Sequence, residues 1–144
     1  MRNLKVKVKS AKGRSVSSTR WLQRQLNDPF VKEAKRQGFR SRSAFKLIEI
    51  NNKFNLLKKG HKVLDLGCAP GGWCQVAAQK VGVKPSEELV VGLDLKSCEP
   101  IVGVKFVEID FLDETQFLEF ENSLDTKFNV ILSDMAPNST GCLL

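Results

Sequence analysis

A glycine-rich turn at residues 67–72 has the spacing of a ligand-binding loop. The four residues before it, VLDL, fit a short buried strand, and the residues from Trp73 to Val81 fit a helix. Where a strand breaks into a glycine turn and continues as a helix, backbone N–H groups and a helix N-terminus meet at one point. The sequence therefore predicts a binding site for an anion or a carboxylate at this turn.

The pattern of the turn, DxGxxPGG, narrows the kind of ligand. It is neither the dinucleotide-binding GxGxxG nor the phosphate-binding GxxxxGK[ST]. It resembles motif I of methyltransferases that use S-adenosylmethionine (SAM), where the group held near the helix end is the methionine part of SAM. The resemblance implies that the predicted carboxylate site belongs to this cofactor.

Acidic residues stand where the predicted strands end. Asp65 lies within the first strand, Asp94 ends the second, Asp110 follows the third and Asp134 ends the fourth. In an open α/β sheet, ligands bind beyond the carboxyl ends of the strands, and an acid after the second strand suits the ribose hydroxyls of an adenosine cofactor. Each acid alone also fits a turn or a helix cap. Near Asp110, Asp113 is a further acid that could cap the next helix.

The elements that position these residues follow from the apolar pattern. We predict strands at 62–66, 89–94, 104–109 and 128–133, with helices at 73–81 and about 114–121. Short or helical connections make parallel βαβ units the economical topology. Three further helices are predicted before the sheet, at 19–26, up to about residue 37, and from about residue 43. Ser17 or Ser18 is expected to cap the first, and Gly38 to end the second.

The charge divides the chain near residue 62. Residues 1–62 hold 18 basic and three acidic residues, a net charge of +15, whereas residues 63–144 hold five basic and 13 acidic residues. We divide the chain into a basic flexible arm at 1–16 and a domain portion at 17–144. A basic arm on an acidic body indicates a polyanionic partner, and the alternative for residues 1–15 is a solvated tail.

The sequence lacks the signals of a membrane protein, a secreted protein and a zinc protein. No apolar run approaches the roughly 18 residues of a membrane span, and the basic N-terminus lacks the apolar core of a secretory signal. The four cysteines form no CxxC pair, and with one histidine, His61, they make no zinc set, so no metal is expected. Free thiols favour a reducing, cytoplasmic environment.

Five segments resemble the FtsJ/RrmJ family of ribosomal RNA 2′-O-methyltransferases. In order from about Ser17 to Gly141 they are SSTRWLQRQLNDPFV, GFRSRSAFKLIEI, VLDLGCAPGGWCQVA, PIVGVKFVEIDFLD and LSDMAPNSTG. The resemblance implies a Rossmann-like α/β fold, with this chain holding the first four strands and a basic helical N-terminal extension. It also implies SAM as cofactor and ribosomal RNA or the large ribosomal subunit as partner, with a uridine ribose as the methylated group in bacterial members.

The resemblance also assigns roles to residues. For SAM it implies contacts from the turn and from the acids at the strand ends, namely Gly67, Gly71, Gly72, Trp73, Asp94 for the ribose, Asp110 for the adenine edge and Asp134 near the methyl group. The family's catalytic tetrad is Lys-Asp-Lys-Glu, and its first two members match Lys46 and Asp134. A ribose hydroxyl is a weak nucleophile that needs a base or a nearby cation, which a lysine held by an aspartate can supply. Without the resemblance, Lys46 would be taken for an exposed helix lysine.

Two arginines flank the same helix. Arg40 and Arg42 are expected to hold RNA phosphates. Trp21 and Phe39 lie among the basic residues as well, and we expect both to pack in the protein rather than stack on bases.

The chain also departs from the family pattern. No residue matches the second Lys or the Glu of the tetrad, which lie beyond LSDMAPN in the family, and the later strands have no counterpart. We expect a truncated product or a second half supplied elsewhere, with the apolar fourth strand as an edge that favours homodimers or aggregation. Two alternatives stay open: an RNA-binding remnant without catalysis, and an unrelated NAD-binding protein, against which the missing GxGxxG argues.

Overall fold

A four-stranded parallel sheet with five helices forms the described part of the chain. The structure, a computed structural model, describes residues 7–9, 12–13 and 15–136. Its elements in chain order are α1 (Val16–Asn27), α2 (Pro29–Gln37), α3 (Ser43–Phe54), β1 (Val63–Leu66), α4 (Gly72–Val81), β2 (Val90–Asp94), β3 (Val104–Glu108), α5 (Glu114–Asn122) and β4 (Val130–Ser133). Every predicted element is present, and the predicted bounds differ from these by three residues or fewer.

The strand order confirms the predicted topology. The sheet runs β3-β2-β1-β4, and Val63 of β1 is in register with Val90 of β2 and Val130 of β4. The resemblance to Rossmann-like methyltransferases implies this same order, 3-2-1-4, for the first four strands. Parallel pairing brings the carboxyl ends of all four strands to one edge, where a ligand binds in such sheets.

Helices cover both faces of the sheet, which explains the buried apolar runs of β1 and β2. On one face, α3 and α4 pack over a cluster that includes Leu47, Val76 and Val90. On the other face, Phe120 of α5 packs with Leu64 and Leu93. The sheet is thereby fixed between two layers, and its carboxyl edge becomes a rigid base for the site.

The helices before the sheet begin and end at identifiable caps. Ser15, not Ser17 or Ser18, caps α1, because its hydroxyl accepts a hydrogen bond from the Ser18 N–H at 3.1 Å. The prediction placed the cap too late because it began the helix at residue 19, inside the observed first turn. Asp28 caps α2 ahead of Pro29, and Gly38 ends that helix with φ of 80°.

The outer edge of β4 is exposed. Within the described residues β4 pairs only with β1, and the Ile131 side chain is 63% exposed. Association through this edge is untested and stays a prediction, as does the division into an arm and a domain portion. None of the helices in the described ranges has the length and apolar character needed to cross a membrane.

Candidate cofactor and catalytic site

The glycine turn forms the floor of the site. Gly67 and Gly71 have φ of 71° and 113°, a region that residues with a side chain rarely adopt. A methyl group on Gly67 would lie 2.5 Å from Met135 Cγ, and one on Gly72 would collide with the Ser41 hydroxyl. Helix α4 begins at Gly72 without a side-chain cap. The N–H groups of its first turn are therefore available to a carboxylate.

Two cavities adjoin this turn. One of about 70 Å³ is lined by residues of the turn together with Asp65 and Asp134. The other, of about 150 Å³, is lined by Asp94 and by residues of β2, β3 and the loop after β2. Cys68 lines both cavities. An elongated molecule with an anionic end and a nucleoside end finds amide donors at one cavity and a carboxylate acceptor at the other.

Asp94 is held in place with acceptor capacity to spare. Its Oδ2 accepts a hydrogen bond from the Ala69 N–H and its Oδ1 accepts one from the Lys96 N–H, both at 2.9 Å. A carboxylate offers about four acceptor positions, so each oxygen can still accept a ribose hydroxyl. The bond to Ala69 also ties the turn after β1 to the end of β2.

Asp110 stands apart from these two cavities. It follows β3, its Oδ1 accepts a hydrogen bond from the Leu112 N–H at 3.0 Å, and it is not among the residues that line either cavity. Asp113 caps α5 by accepting from the Gln116 N–H. The role of Asp110 at an adenine edge therefore stays a prediction without a contact that supports it.

The structure brings the two matched tetrad residues together. The Lys46 ammonium on α3 lies 2.8 Å from Asp134 Oδ1, directly after β4. Asp134 also lines the small cavity at the turn, while both residues line a larger cavity of about 330 Å³. The walls of that larger cavity include Phe30, Phe45 and Glu49. The pair thus stands between the turn and an open space on the side of the basic helices.

Arg40 is engaged with the loops of the site. Its guanidinium donates to the carbonyl oxygens of Pro70 at 3.2 Å, Glu99 at 2.5 Å and Pro100 at 2.9 Å. Its backbone N–H donates to Gln75 on α4. This side chain therefore joins the turn after β1 to the loop after β2. The predicted contact of Arg40 with RNA phosphate is untested, but these bonds already occupy three of the five N–H donors of its guanidinium.

Arg42 has a different environment, although it is only two residues further along. Its guanidinium contacts the Asp28 carboxylate, the cap of α2, and lies 6.0 Å from the centre of the Phe30 ring. The side chain is 54% exposed. Because part of the guanidinium faces solvent beside the 330 Å³ cavity, Arg42 remains available to a phosphate.

Asp65 is a site residue that the sequence reasoning did not select. Its carboxyl is buried in β1, accepts a weak hydrogen bond from the Cys74 thiol at 3.3 Å, and lines the small cavity. The pKa of Asp65 is raised to about 7, mainly by burial. The hydrogen bond from Cys74 opposes this rise, and the negative charges of Asp134 and Asp94 add to it. The signal was its position within the apolar run VLDL, because a carboxylate inside a buried parallel strand needs a reason to be there.

The aromatic residues of the basic helices differ in exposure. Phe39 packs against the core and meets the Phe45 ring edge-on at 5.8 Å, as expected. The expectation for Trp21 is wrong: its side chain is 54% exposed, because no element of the described chain covers that face of α1. Among the described residues, no group of three or more His, Cys, Asp or Glu side chains is placed to hold a metal ion.

Comparison with known proteins agrees with this geometry. The chain is 53% identical over 140 residues to "Ribosomal RNA large subunit methyltransferase E" of Azorhizobium caulinodans, covering 97% of this chain and 58% of that protein. The protein of the same name from Ruegeria pomeroyi is 50% identical over 145 residues, covering 97% and 62%. The chain therefore spans about three fifths of the length of these relatives.

A solved structure and a family model give the same result. The crystal structure of a ribosomal RNA methyltransferase from Plasmodium falciparum superimposes with a TM-score of 0.59 at 36% identity, covering 72% of this chain and 59% of that one. The model of the FtsJ-like methyltransferase family matches residues 39–143. That match includes the turn, Lys46 and Asp134 and exceeds half of the chain, so this chain belongs to the FtsJ-like methyltransferase family.

Proposed function

We propose that this chain forms the cofactor-binding part of a SAM-dependent methyltransferase that modifies a ribose 2′-hydroxyl of large-subunit ribosomal RNA. The observation that carries the proposal is the contact of Lys46 with Asp134 at the edge of the glycine turn. The relatives, whose names specify large-subunit ribosomal RNA, support the substrate class. From the family resemblance we further propose that the nucleotide is a uridine and that the protein acts in the cytoplasm.

The residues of the turn fit this cofactor. SAM, when bound, supplies a methyl group activated on a sulfonium. The free N–H groups at the start of α4, which begins at Gly72, hold its carboxylate. The left-handed conformations of Gly67 and Gly71 shape the turn that leads into this helix. Asp94 accepts its ribose hydroxyls, and the burial of Asp65 beside the turn provides a carboxyl that a nearby positive charge would keep ionised. Contacts from Trp73 and Asp110 are assigned by the resemblance.

Lys46 and Asp134 act on the nucleophile. The ammonium of Lys46 orients the 2′-oxygen and stabilises the negative charge that develops on it, while Asp134 fixes the ammonium at 2.8 Å. The 330 Å³ cavity beside the pair receives the nucleotide, and the exposed Arg42 holds a neighbouring phosphate. The basic helices continue this positive surface, and the six basic residues among residues 1–15 add positive charge that attracts RNA.

These 144 residues match two of the four tetrad members, so we propose that by themselves they transfer methyl groups slowly. Groups that act as a unit lose their effect together when one is absent. The test supplies, as a separate polypeptide, the part of the Azorhizobium caulinodans relative that follows its match to this chain, which covers 58% of that protein. Methyl groups transferred to large-subunit ribosomal RNA are then located by mass spectrometry of its nucleosides.

We expect 2′-O-methylated ribose from the combination and much less from the chain alone. Lys46→Ala should abolish the transfer, and Lys53→Ala, on the last turn of the same helix, should not. A methylated base, or equal transfer by Lys46→Ala, would contradict the proposal. RNA binding without SAM binding in any form of the protein would favour the RNA-binding remnant.

A further inference from the structure

Two cysteines meet across the proposed nucleoside cavity. Cys68 follows Gly67 in the turn after β1, Cys98 lies in the loop after β2, and their sulfur atoms are 3.9 Å apart. Both line the 150 Å³ cavity together with Asp94. Thirty residues separate the two cysteines in sequence, so the fold, not local chain geometry, produces this contact.

The strand beneath them leaves room for sulfur. A side chain on Gly92 of β2 would place its first carbon 2.7 Å from the Cys68 sulfur and 3.0 Å from the Cys74 sulfur. Gly92 thus leaves a recess in which the buried Cys68 side chain lies. The Cys68 N–H donates to the Leu93 carbonyl at 3.1 Å, which holds the backbone on the same side. The surrounding atoms therefore hold the Cys68 side chain in this recess.

We propose that Cys68 and Cys98 are a reversible oxidation site, which a peroxide converts to a disulfide, and that this bond opposes cofactor binding. The effect on cofactor binding rests on the proposed function, whereas the formation of the disulfide does not. A disulfide needs sulfur atoms about 2.05 Å apart, so the two sulfur atoms must close by about 1.9 Å from their present separation, through side-chain rotation and movement of the two loops. That closure draws the loops together at the cavity that contains Asp94.

The environments of the three thiols indicate which of them reacts first with the oxidant. The neighbouring thiols of Cys74 and Cys98 hold the pKa of Cys68 below its usual range, whereas burial raises the pKa of Cys98 to about 12. Cys68 is therefore the thiol that reacts as a thiolate. Cys74 donates to Asp65 and lies inside the core, where it does not line the 150 Å³ cavity.

The reaction balances with hydrogen peroxide as the oxidant. The Cys68 thiolate attacks one peroxide oxygen, the S–O bond forms, the O–O bond breaks, and the leaving hydroxide takes a proton to become water. The Cys98 sulfur then attacks the Cys68 sulfur, forming the S–S bond, and the released hydroxide takes the Cys98 proton. Peroxide gains two electrons and each thiol loses one. A dithiol reverses the step by exchange.

The cofactor and the disulfide should exclude one another. A nucleoside between the loops keeps the sulfur atoms apart and covers the cavity through which peroxide reaches Cys68. By linkage, the factor by which oxidation weakens cofactor binding equals the factor by which the cofactor disfavours the disulfide. Couplings of this kind are typically about 5- to 150-fold.

The test treats the 144-residue protein carrying Cys142→Ser, so that only the three described thiols remain, with hydrogen peroxide and then digests it without reductant. We expect a peptide pair linked through Cys68 and Cys98, reversed by dithiothreitol and absent when Cys98→Ser is added. A link through Cys74, a link between two copies, or no link would overturn the oxidation site. The parent protein, treated in parallel, shows whether Cys142 alters the pairing.

Calorimetry with S-adenosylhomocysteine then compares the oxidised and reduced forms of the same protein. We expect oxidation to weaken binding by about tenfold or more, and saturating S-adenosylhomocysteine to slow formation of the link. Equal affinity of the two forms would overturn the coupling. A Cys68–Cys98 link in a protein that binds S-adenosylhomocysteine in neither form would leave the oxidation site standing and reject the proposed cofactor.

Discussion

Lys46 and Asp134 are joined at 2.8 Å although 88 residues separate them in the chain. One lies on a helix that precedes the sheet and the other directly follows its last described strand. Their side chains are 63% and 28% exposed, and exposed ion pairs contribute only about 0–1 kcal/mol to stability. Stability therefore does not explain the contact, whereas the proposed catalytic role would.

Replacement of Lys46 should separate these two explanations. Lys46→Ala should change the free energy of unfolding by less than about 1 kcal/mol, because the Lys46 side chain is 63% exposed and the Asp134 carboxylate left behind still reaches solvent. Urea denaturation of this variant and of Lys53→Ala measures the effect. A loss of several kcal/mol in Lys46→Ala alone would show that the pair is structural.

Arg40 and Arg42 should respond differently to removal. Arg40→Ala breaks the bonds that join the two loops of the site, so it should weaken binding of S-adenosylhomocysteine about tenfold, equivalent to about 1.4 kcal/mol. Arg42→Ala should leave that affinity unchanged and instead weaken RNA binding. Calorimetry and RNA titrations at several salt concentrations measure both effects. If Arg40→Ala changes only the RNA affinity and its salt dependence, Arg40 contacts phosphate rather than positioning the loops.

The buried carboxyl of Asp65 should make stability depend on pH. Its pKa is about 7 in the folded chain against an ordinary value of 3.8, so between these values the folded state binds more protons than the unfolded state. The contribution of Asp65 to stability therefore falls as pH rises from about 4 to about 7, and stays low above that. The side chain is buried, so the change reaches the global free energy of unfolding.

Asp65→Asn removes this titration. The free energy of unfolding of the variant minus that of the parent should increase by about 2–3 kcal/mol from pH 5 to pH 8. Urea denaturation of both proteins at the two pH values measures this change. Any constant cost of the amide cancels in that comparison. Parallel pH profiles of parent and variant would show that Asp65 is already ionised at pH 5.

Residues 1–15 should contribute to RNA binding through charge alone. They hold six basic residues. Their deletion should weaken RNA binding and reduce the slope of log affinity against log salt by up to about 4, since each phosphate contact contributes about 0.7 for single strands. Cofactor affinity should not change. An unaltered salt slope would indicate that these residues are a solvated tail.

The sequence allowed the sheet to be predicted because its cues are local. The run NVILSD contains the whole of β4 and the acid after it. The turn from residue 67 to residue 72 needs positive φ at Gly67 and Gly71, and the glycines in the sequence indicate such a turn. The contacts that complete the site are not local. The three carbonyls held by Arg40 and the meeting of Cys68 with Cys98 depend on how loops pack, which no periodicity reports. The sequence places Asp65 in the first strand, but its raised pKa follows only from its burial in the structure.

A titration of S-adenosylhomocysteine, NAD and ATP into the parent chain and into Asp94→Ala tests the proposed cofactor site most directly. We expect the parent to bind S-adenosylhomocysteine more tightly than NAD or ATP. Asp94→Ala should lose on the order of 1–3 kcal/mol of that binding, because the ribose hydroxyls lose their acceptor. Asp113→Ala, which removes only the cap of α5, serves as the control. Equal affinity of parent and Asp94→Ala, or tighter binding of NAD, would contradict a SAM site at this turn.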